Sequence, residues 1–197
     1  MTLGEARELA RSLFLETLPV LRPDPVLRKM VRLEKHRLEV AGDRYPLPEG
    51  RTVRVVSIGK AAVAMAHAVA EILAGVRMRG VVAAPELPPT GLAGFEYFAG
   101  GHPYPNEQSW RAAEAVLSIL SLQHVHPDDL VLFLISGGGS ALFDKPLHPA
   151  VTLDDLRRFH EVLVTSGAAI EEINALRKHL SAVKGGRLAQ AAAPATQ

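Results

Sequence analysis

Four groups of residues in this chain have the types and spacing to handle an anion. The densest is Ser136-Gly137-Gly138-Gly139-Ser140, which closes the unbroken apolar run Leu130 to Ile135. Adjacent glycines allow backbone angles and close approaches denied to other residues, at an entropy cost that a plain strand-to-helix turn does not require. The N–H groups of such a loop can converge on one phosphate or carboxylate, and the Ser136 and Ser140 hydroxyls add donors. The second group is Gly59-Lys60, between an apolar run and an alanine-rich segment. A helix start there favours an anion, and the lysine adds a full positive charge. It is not a Walker A loop, because Ala61 stands where Ser or Thr is required and the upstream glycine is missing. The third group is Asn174, Arg177, Lys178 and Lys184, which with Ser181 share one face of a helix predicted over 170–183. That face is either anion-facing or a solvated surface suited to the helix's C-terminal dipole. The fourth is His102, between Gly100-Gly101 and Pro103. It could be a general base, a phosphate ligand or a loop donor, and spacing alone favours the loop donor. His67 reads as a packed side chain. His124 and His126 lie in a charged loop with no further metal ligands in sight.

The elements that must position these groups follow from hydrophobic periodicity. Residues 53–58, 80–84, 95–99 and 130–135 read as strands of one sheet. Alanine-rich 61–74 reads as a helix, as does a segment capped by Asn106 with Trp110, Ala113, Val116, Leu117 and Leu120 as its apolar stripe. Thr152 opens another helix, with Asp155 in the capping-box position. Residues 186–193 suggest a short last helix before a frayed tail, Pro194 to Gln197. Ahead of the first strand, 2–18 and the region of 26–30 read as helices, and 33–50 as a peripheral hairpin. Strands alternating with helices predict an α/β fold: a Rossmann-like three-layer sandwich, mostly parallel, with helices on both faces. Ligands of such sheets bind beyond the carboxyl ends of the strands. That rim would collect Gly59-Lys60, Gly101-His102 and 136–140.

The 197 residues are long enough to bury a core, and 48% apolar with 22% charged residues is an ordinary globular balance. A net charge of +1 gives no sign of nucleic-acid or membrane binding. The absence of cysteine excludes disulfides and thiolate metal sites. The charged start is unlike a signal peptide and no apolar run approaches bilayer length, so a cytoplasmic protein is expected.

Taken together, the motifs resemble a known family, the class II glycerate kinases, which are often labelled hydroxypyruvate reductases. The resemblance rests on Gly59-Lys60-Ala61-Ala62, Gly101-His102-Pro103-Tyr104-Pro105-Asn106, Ile135 through Leu142, and Glu172 through Ser181 running on to Lys184-Gly185-Gly186-Arg187-Leu188. Asn106 departs mildly from the aspartate often found there. The resemblance implies ATP-dependent phosphorylation of D-glycerate to 2-phosphoglycerate, with Mg2+. It implies that Lys60 holds the transferring phosphate and that Ser136, Gly137, Gly138, Gly139 and Ser140 line the nucleotide-phosphate or glycerate site. His102, Asn174, Arg177, Lys178 and Lys184 would complete a basic wall. Residues 1–50 would be peripheral elements packed on the core. Residues 51–197 would be the α/β core of the family's N-terminal domain, without the second domain and its acidic metal-binding group.

Two rivals are weighed against this. A hydroxypyruvate reductase would need a dinucleotide fingerprint. Leu142 stands where that fingerprint requires Gly or Ala, and no acidic residue ends a strand about 20 positions later. A non-catalytic piece that binds or self-associates is the other rival. Apolar surface left by a missing domain would make a homodimer one of its outcomes.

Overall fold

The computed structural model describes every residue except 122–125, 194, 196 and 197. The chain opens with helices α1 (Leu3–Thr17) and α2 (Pro23–Met30) and a small antiparallel sheet of β1 (Val31–Glu34), β2 (Arg37–Val40) and β3 (Asp43–Pro46). The α/β core follows: β4 (Thr52–Ile58), α3 (Ala62–Ile72), β5 (Arg77–Ala84), β6 (Phe95–Ala99), α4 (Glu107–Ile119) and β7 (Leu130–Ile135). Beyond β7 come α5 (Gly139–Leu142), α6 (Leu153–Thr165), α7 (Ile170–Leu180) and α8 (Arg187–Ala192). His124 and the tail residues Pro194, Thr196 and Gln197 lie outside the described residues.

The core sheet runs β6-β5-β4-β7 and every pairing in it is parallel. The α/β expectation holds, as does membership of the four expected strands in one sheet. Alternation along the strands separates two apolar layers, because successive side chains point to opposite faces. Val53 and Val55 pack with Val69 of α3, with Leu73 that caps it, and with Val31, Leu38 and Leu47 of the small sheet region. Val56 and Ile58 pack on the other face with Ala112, Ala113 and Val116 of α4. The small sheet is thus built into the core. By contrast, α1 buries none of its residues.

Chain order reverses at one point. From β4 the chain steps to β5 and β6 on one side, then returns to set β7 on the other. In open α/β sheets the crevice for ligands lies at that reversal, beyond the carboxyl ends of the two strands. Here those ends carry Gly59-Lys60 and Ser136 to Gly139.

A single turn of helix, α5, follows the glycine loop. Two local expectations are corrected. The helix expected to reach Val183 stops at Leu180, and Ser181 is extended. Strand-like pairing takes its place: Leu147 N–H donates to Leu180 O at 2.8 Å, and Ala182 N–H to Lys145 O at 2.8 Å. Ala195 is buried in the core rather than frayed.

Candidate functional site

The two loops at the reversal are fastened to each other. Ser136 N–H donates to Ile58 O at 2.9 Å, and its hydroxyl donates to the same oxygen at 3.2 Å. Ala61 N–H donates to the Ser136 hydroxyl at 3.1 Å, and Lys60 N–H to Gly137 O at 2.8 Å. Gly59, at φ +116°, lies so close to Ser136 that an added Cβ would fall 2.8 Å from its carbonyl carbon. Only glycine allows this conformation and this approach. The start of α3 therefore spends backbone donors on its neighbour, and the Ser136 hydroxyl is a structural tie.

The start of α5 is different. Gly138 caps it at φ +88°. The carbonyls of Gly138 and Gly139 accept from Ala141, Leu142 and Phe143. The N–H groups of Gly137, Gly138, Gly139 and Ser140 donate to no described group. Two exposed side chains flank them: a Cβ built on Gly138 would lie 3.1 Å from His102 Cδ2 and 3.3 Å from Lys60 Cγ. Lys60 forms no ion pair among the described residues. Open backbone donors thus lie beside the side chains of Lys60 and His102. A cavity of about 360 Å³ continues from Lys60 along Val63, Ala84, Pro85, Glu86, Leu87 and Pro88. A larger cavity, about 540 Å³, lies at the opposite end of the sheet beside Lys35, His36 and Arg51. It lacks a glycine loop aimed into it, and Arg51 is already paired with Asp128. The β4–β7 rim is the stronger candidate site.

His102 is held through its neighbours. Gly101 N–H donates to the Ser109 hydroxyl at 2.9 Å, and Asn106 caps α4 by accepting from Ser109 N–H at 2.9 Å. Asn106 also donates to Ala99 O at 3.0 Å, which fastens the loop to the end of β6.

The residues expected on one face of the last long helix are divided. Asn174 and Lys178 lie exposed on α7. Lys184 lies past the end of the helix, its ammonium 2.7 Å from Asp144 Oδ2 and 3.2 Å from Phe143 O. Arg177 is half-buried, with Nε lacking a described partner, and it lies close enough to feel the Asp144 charge. Burial pushes the Lys184 ammonium below the usual lysine range, while Asp144 opposes that push. Burial would raise the Asp144 carboxyl, but hydrogen bonding to His160 and the charge and hydrogen bond of Lys184 hold it below the usual carboxylate range.

Asp144 and His160 are the residues that sequence reasoning missed. The available signal was an acidic residue directly after Ala141-Leu142-Phe143, an apolar run that proves buried. His67 lies on α3 as expected, with Nε2 buried and without a described partner. His126 pairs with Asp128. Among the described residues no cluster of three His, Cys, Asp or Glu side chains could hold a metal ion. The rim offers donors and cations, which suit an anion.

Comparison with known proteins adds the lineage. Residues 9–197 match the model of a domain of unknown function, DUF4147. The chain belongs to the DUF4147 family. A D-glycerate 2-kinase of Thermotoga maritima is 43% identical over 180 residues, which are 88% of this chain and 42% of that protein. An Agrobacterium vitis protein with a provisional hydroxypyruvate reductase name is 45% identical over 81% of this chain and 35% of its own length. A crystal structure of a Pyrococcus horikoshii protein superposes with a TM-score of 0.79 at 37% identity, covering 94% of this chain and 41% of that one. This DUF4147 chain thus spans about two fifths of the length of the proteins it matches, and its fold is theirs over that span.

Proposed function

We propose that this chain supplies the phosphate-handling wall of a glycerate 2-kinase, which transfers a phosphoryl group from ATP to D-glycerate and yields 2-phosphoglycerate. One observation carries the reading. The N–H groups of Gly137 to Ser140 have no described partner, and the side chains of Lys60, which forms no described ion pair, and His102 pack against Gly138 at the β4–β7 reversal. Phosphoryl transfer asks a protein for positioning and for charge stabilisation, and little covalent chemistry. Oriented N–H groups at the site where charge develops need no reorganisation during reaction. Lys60 supplies the charge, the loop supplies direction, and His102 offers a ring nitrogen at the same rim. The cavity along Ala84 to Pro88 has room for a further part of a bound ligand. Mg2+, when bound, would neutralise charge on the transferring phosphates.

The reductase reading lacks its own support, since Leu142 stands where a dinucleotide fingerprint needs a small residue. Nicotinamide chemistry is therefore set aside in favour of ATP. The balanced charge of the chain supports a small-molecule substrate over a nucleic acid or membrane partner. The exposed Leu9, Leu13 and Phe14 of α1 would suit a homodimer contact.

The test pairs binding with turnover. Calorimetry with ADP and with 2-phosphoglycerate on this chain should give saturable binding. D-glycerate-dependent ADP release should appear in a chain of the relatives' full length. Lys60→Ala should cut turnover there at least 10-fold, equivalent to about 1.4 kcal/mol of transition-state stabilisation. Its stability should stay within about 0.5 kcal/mol of wild type, as is usual for an exposed residue. Unchanged kinetics in Lys60→Ala, or NADH oxidation with hydroxypyruvate, would overturn the reading.

A further inference from the structure

Asp144 stands two residues beyond α5 and is 1% exposed. One of its oxygens accepts from Lys145 N–H at 2.9 Å and from the Ser181 hydroxyl at 2.6 Å. The other meets His160 Nε2 at 3.0 Å and Lys184 Nζ at 2.7 Å. A carboxylate carries no proton of its own, so His160 Nε2–H is the donor in that contact. His160 and Ser181 are themselves buried. The backbone is included too, since Asp144 N–H donates to Ser109 O at 3.4 Å. Ser109 in turn anchors Gly101, next to His102. One buried carboxylate therefore joins α4, α5, α6 and the segment after α7.

Lys184 completes the arrangement. Its ammonium reaches both Asp144 and the carbonyl of Phe143, the residue that caps the carboxyl end of α5. Phe143 N–H donates to Gly139 O at 3.1 Å. A four-residue helix cannot support itself, because a single turn fixes many dihedral angles for few hydrogen bonds. Outside ties must set its direction: Lys60 N–H holds the Gly137 carbonyl just ahead of it, and Asp144 and Lys184 hold its carboxyl end. The open N–H groups are at its other end.

We propose that Asp144 and Lys184 act as one clamp on α5, and that they are positioning residues for the anion at the Lys60 rim rather than ligands of it. The proposal rests on the phosphate-handling reading above and deepens it. It assigns Lys184, a cation of the basic motif, to its carboxylate partner. Arg177 remains beside the pair as the cation whose charge Asp144 does not consume.

The experiment is a double-variant cycle on this chain, with ADP as probe and thermal melting as a check on folding. Lys184→Met should weaken ADP binding at least 5-fold, and Asp144→Asn by a similar factor. The double variant should bind no worse than the weaker single variant, because removing either half releases the clamp. If Lys184 instead touched the anion, its loss would cost as much in the Asp144→Asn background as in wild type, and the proposal would be overturned. A simple charge effect would make Asp144→Asn bind more tightly, which would also overturn it. Should Asp144→Asn not fold, salt decides with Lys184→Met alone. A direct charge contact is screened by salt, so the gap between wild type and variant would close as ionic strength rises. A positional loss keeps the same ratio at all salt concentrations. Lys184→Arg, which can keep the carboxylate pair, should bind within 2-fold of wild type. Failure of the underlying reading looks different. If the wild-type chain binds no ADP, the rim reading falls and the clamp falls with it. If Lys60→Ala weakens binding and Lys184→Met does not, the clamp alone falls.

Discussion

Two junctions of the same kind, a core strand passing through glycine into a helix, lie side by side at the rim and do opposite things. At the β4–α3 junction the first N–H groups turn inward: Lys60 donates to Gly137 O and Ala61 to the Ser136 hydroxyl. What faces outward is a side chain, the Lys60 ammonium. At the β7–α5 junction the donors from Gly137 to Ser140 have no described partner, and what faces outward is backbone. The first junction acts as a foundation and, in the proposed reading, would deliver charge. The second stands on it and would deliver direction. A glycine beside a helix start is thus not evidence of an anion cradle until the destinations of its donors are known.

The sharpest way to break this contrast is at the foundation. Gly59→Ala should cost more than about 3 kcal/mol, because crowding in a packed site adds to the strain of a positive φ. The obstacle is backbone, since the new Cβ would lie 2.5 Å from Ser136 O. Chemical denaturation measures the loss. A variant within about 1 kcal/mol of wild type would mean that the two loops can part, and that the foundation is softer than its hydrogen bonds suggest.

A smaller effect separates the junctions by pH. Asp144 belongs to the α5 junction, and its carboxyl is held below the usual range. A group with a depressed folded-state pKa contributes stability that is present above its unfolded value, near 3.9 for aspartate. That stability is lost as pH falls through the lower folded value. Hydrogen exchange below about pH 4 should therefore quicken at Ala141 to Phe143 before it quickens at Ala62 to Met65. In Asp144→Asn that order of loosening should disappear. Asp129, paired with Arg54 at the far end of the sheet, is also held low, so global acid unfolding would not discriminate and the local readout is required.

How much of this could be read from sequence depended on how local its cause was. The four core strands were legible as short apolar runs between helical patterns; the Leu130 to Ile135 run, expected from its continuity to be buried on both faces, is instead the edge strand, with Leu130 and Val131 buried and Ile135 exposed. The caps of α4 and α6 were legible because Asn106 and Thr152 bond only three residues ahead. The end of α7 was not. Leu176 and Leu180 continue a helical stripe, and the helix stops because Lys145 and Leu147, over thirty residues away, claim the backbone of residues 180–182. Lys184 then left the face its spacing had assigned to it. Lys60, His102 and the glycine loop were legible as candidates from type and position at strand ends. That the Ser136 hydroxyl is a tie was hidden, because its partners Ile58 and Ala61 are remote in sequence. Asp144 was hidden for the same reason.

The smallest expected effect sharpens the contrast most finely. Gly137 differs from Gly59 and Gly138 in that its φ is not positive and a Cβ built on it meets nothing within 4 Å. Gly137→Ala should therefore change stability by less than about 0.5 kcal/mol, as a substitution without steric cost usually does. The alanine keeps the N–H group and only fills space above it. If the cradle works through backbone donors met from the side of Lys60 and His102, ADP affinity in Gly137→Ala should remain within 2-fold of wild type. A large loss of affinity with unchanged stability would say that the ligand passes directly over the Gly137 Cα. The loop's glycines would then serve close approach at two positions instead of one. A loss of stability would say that Gly137 supports the fold as Gly59 does, and the division between a foundation and a cradle would not hold within the loop itself.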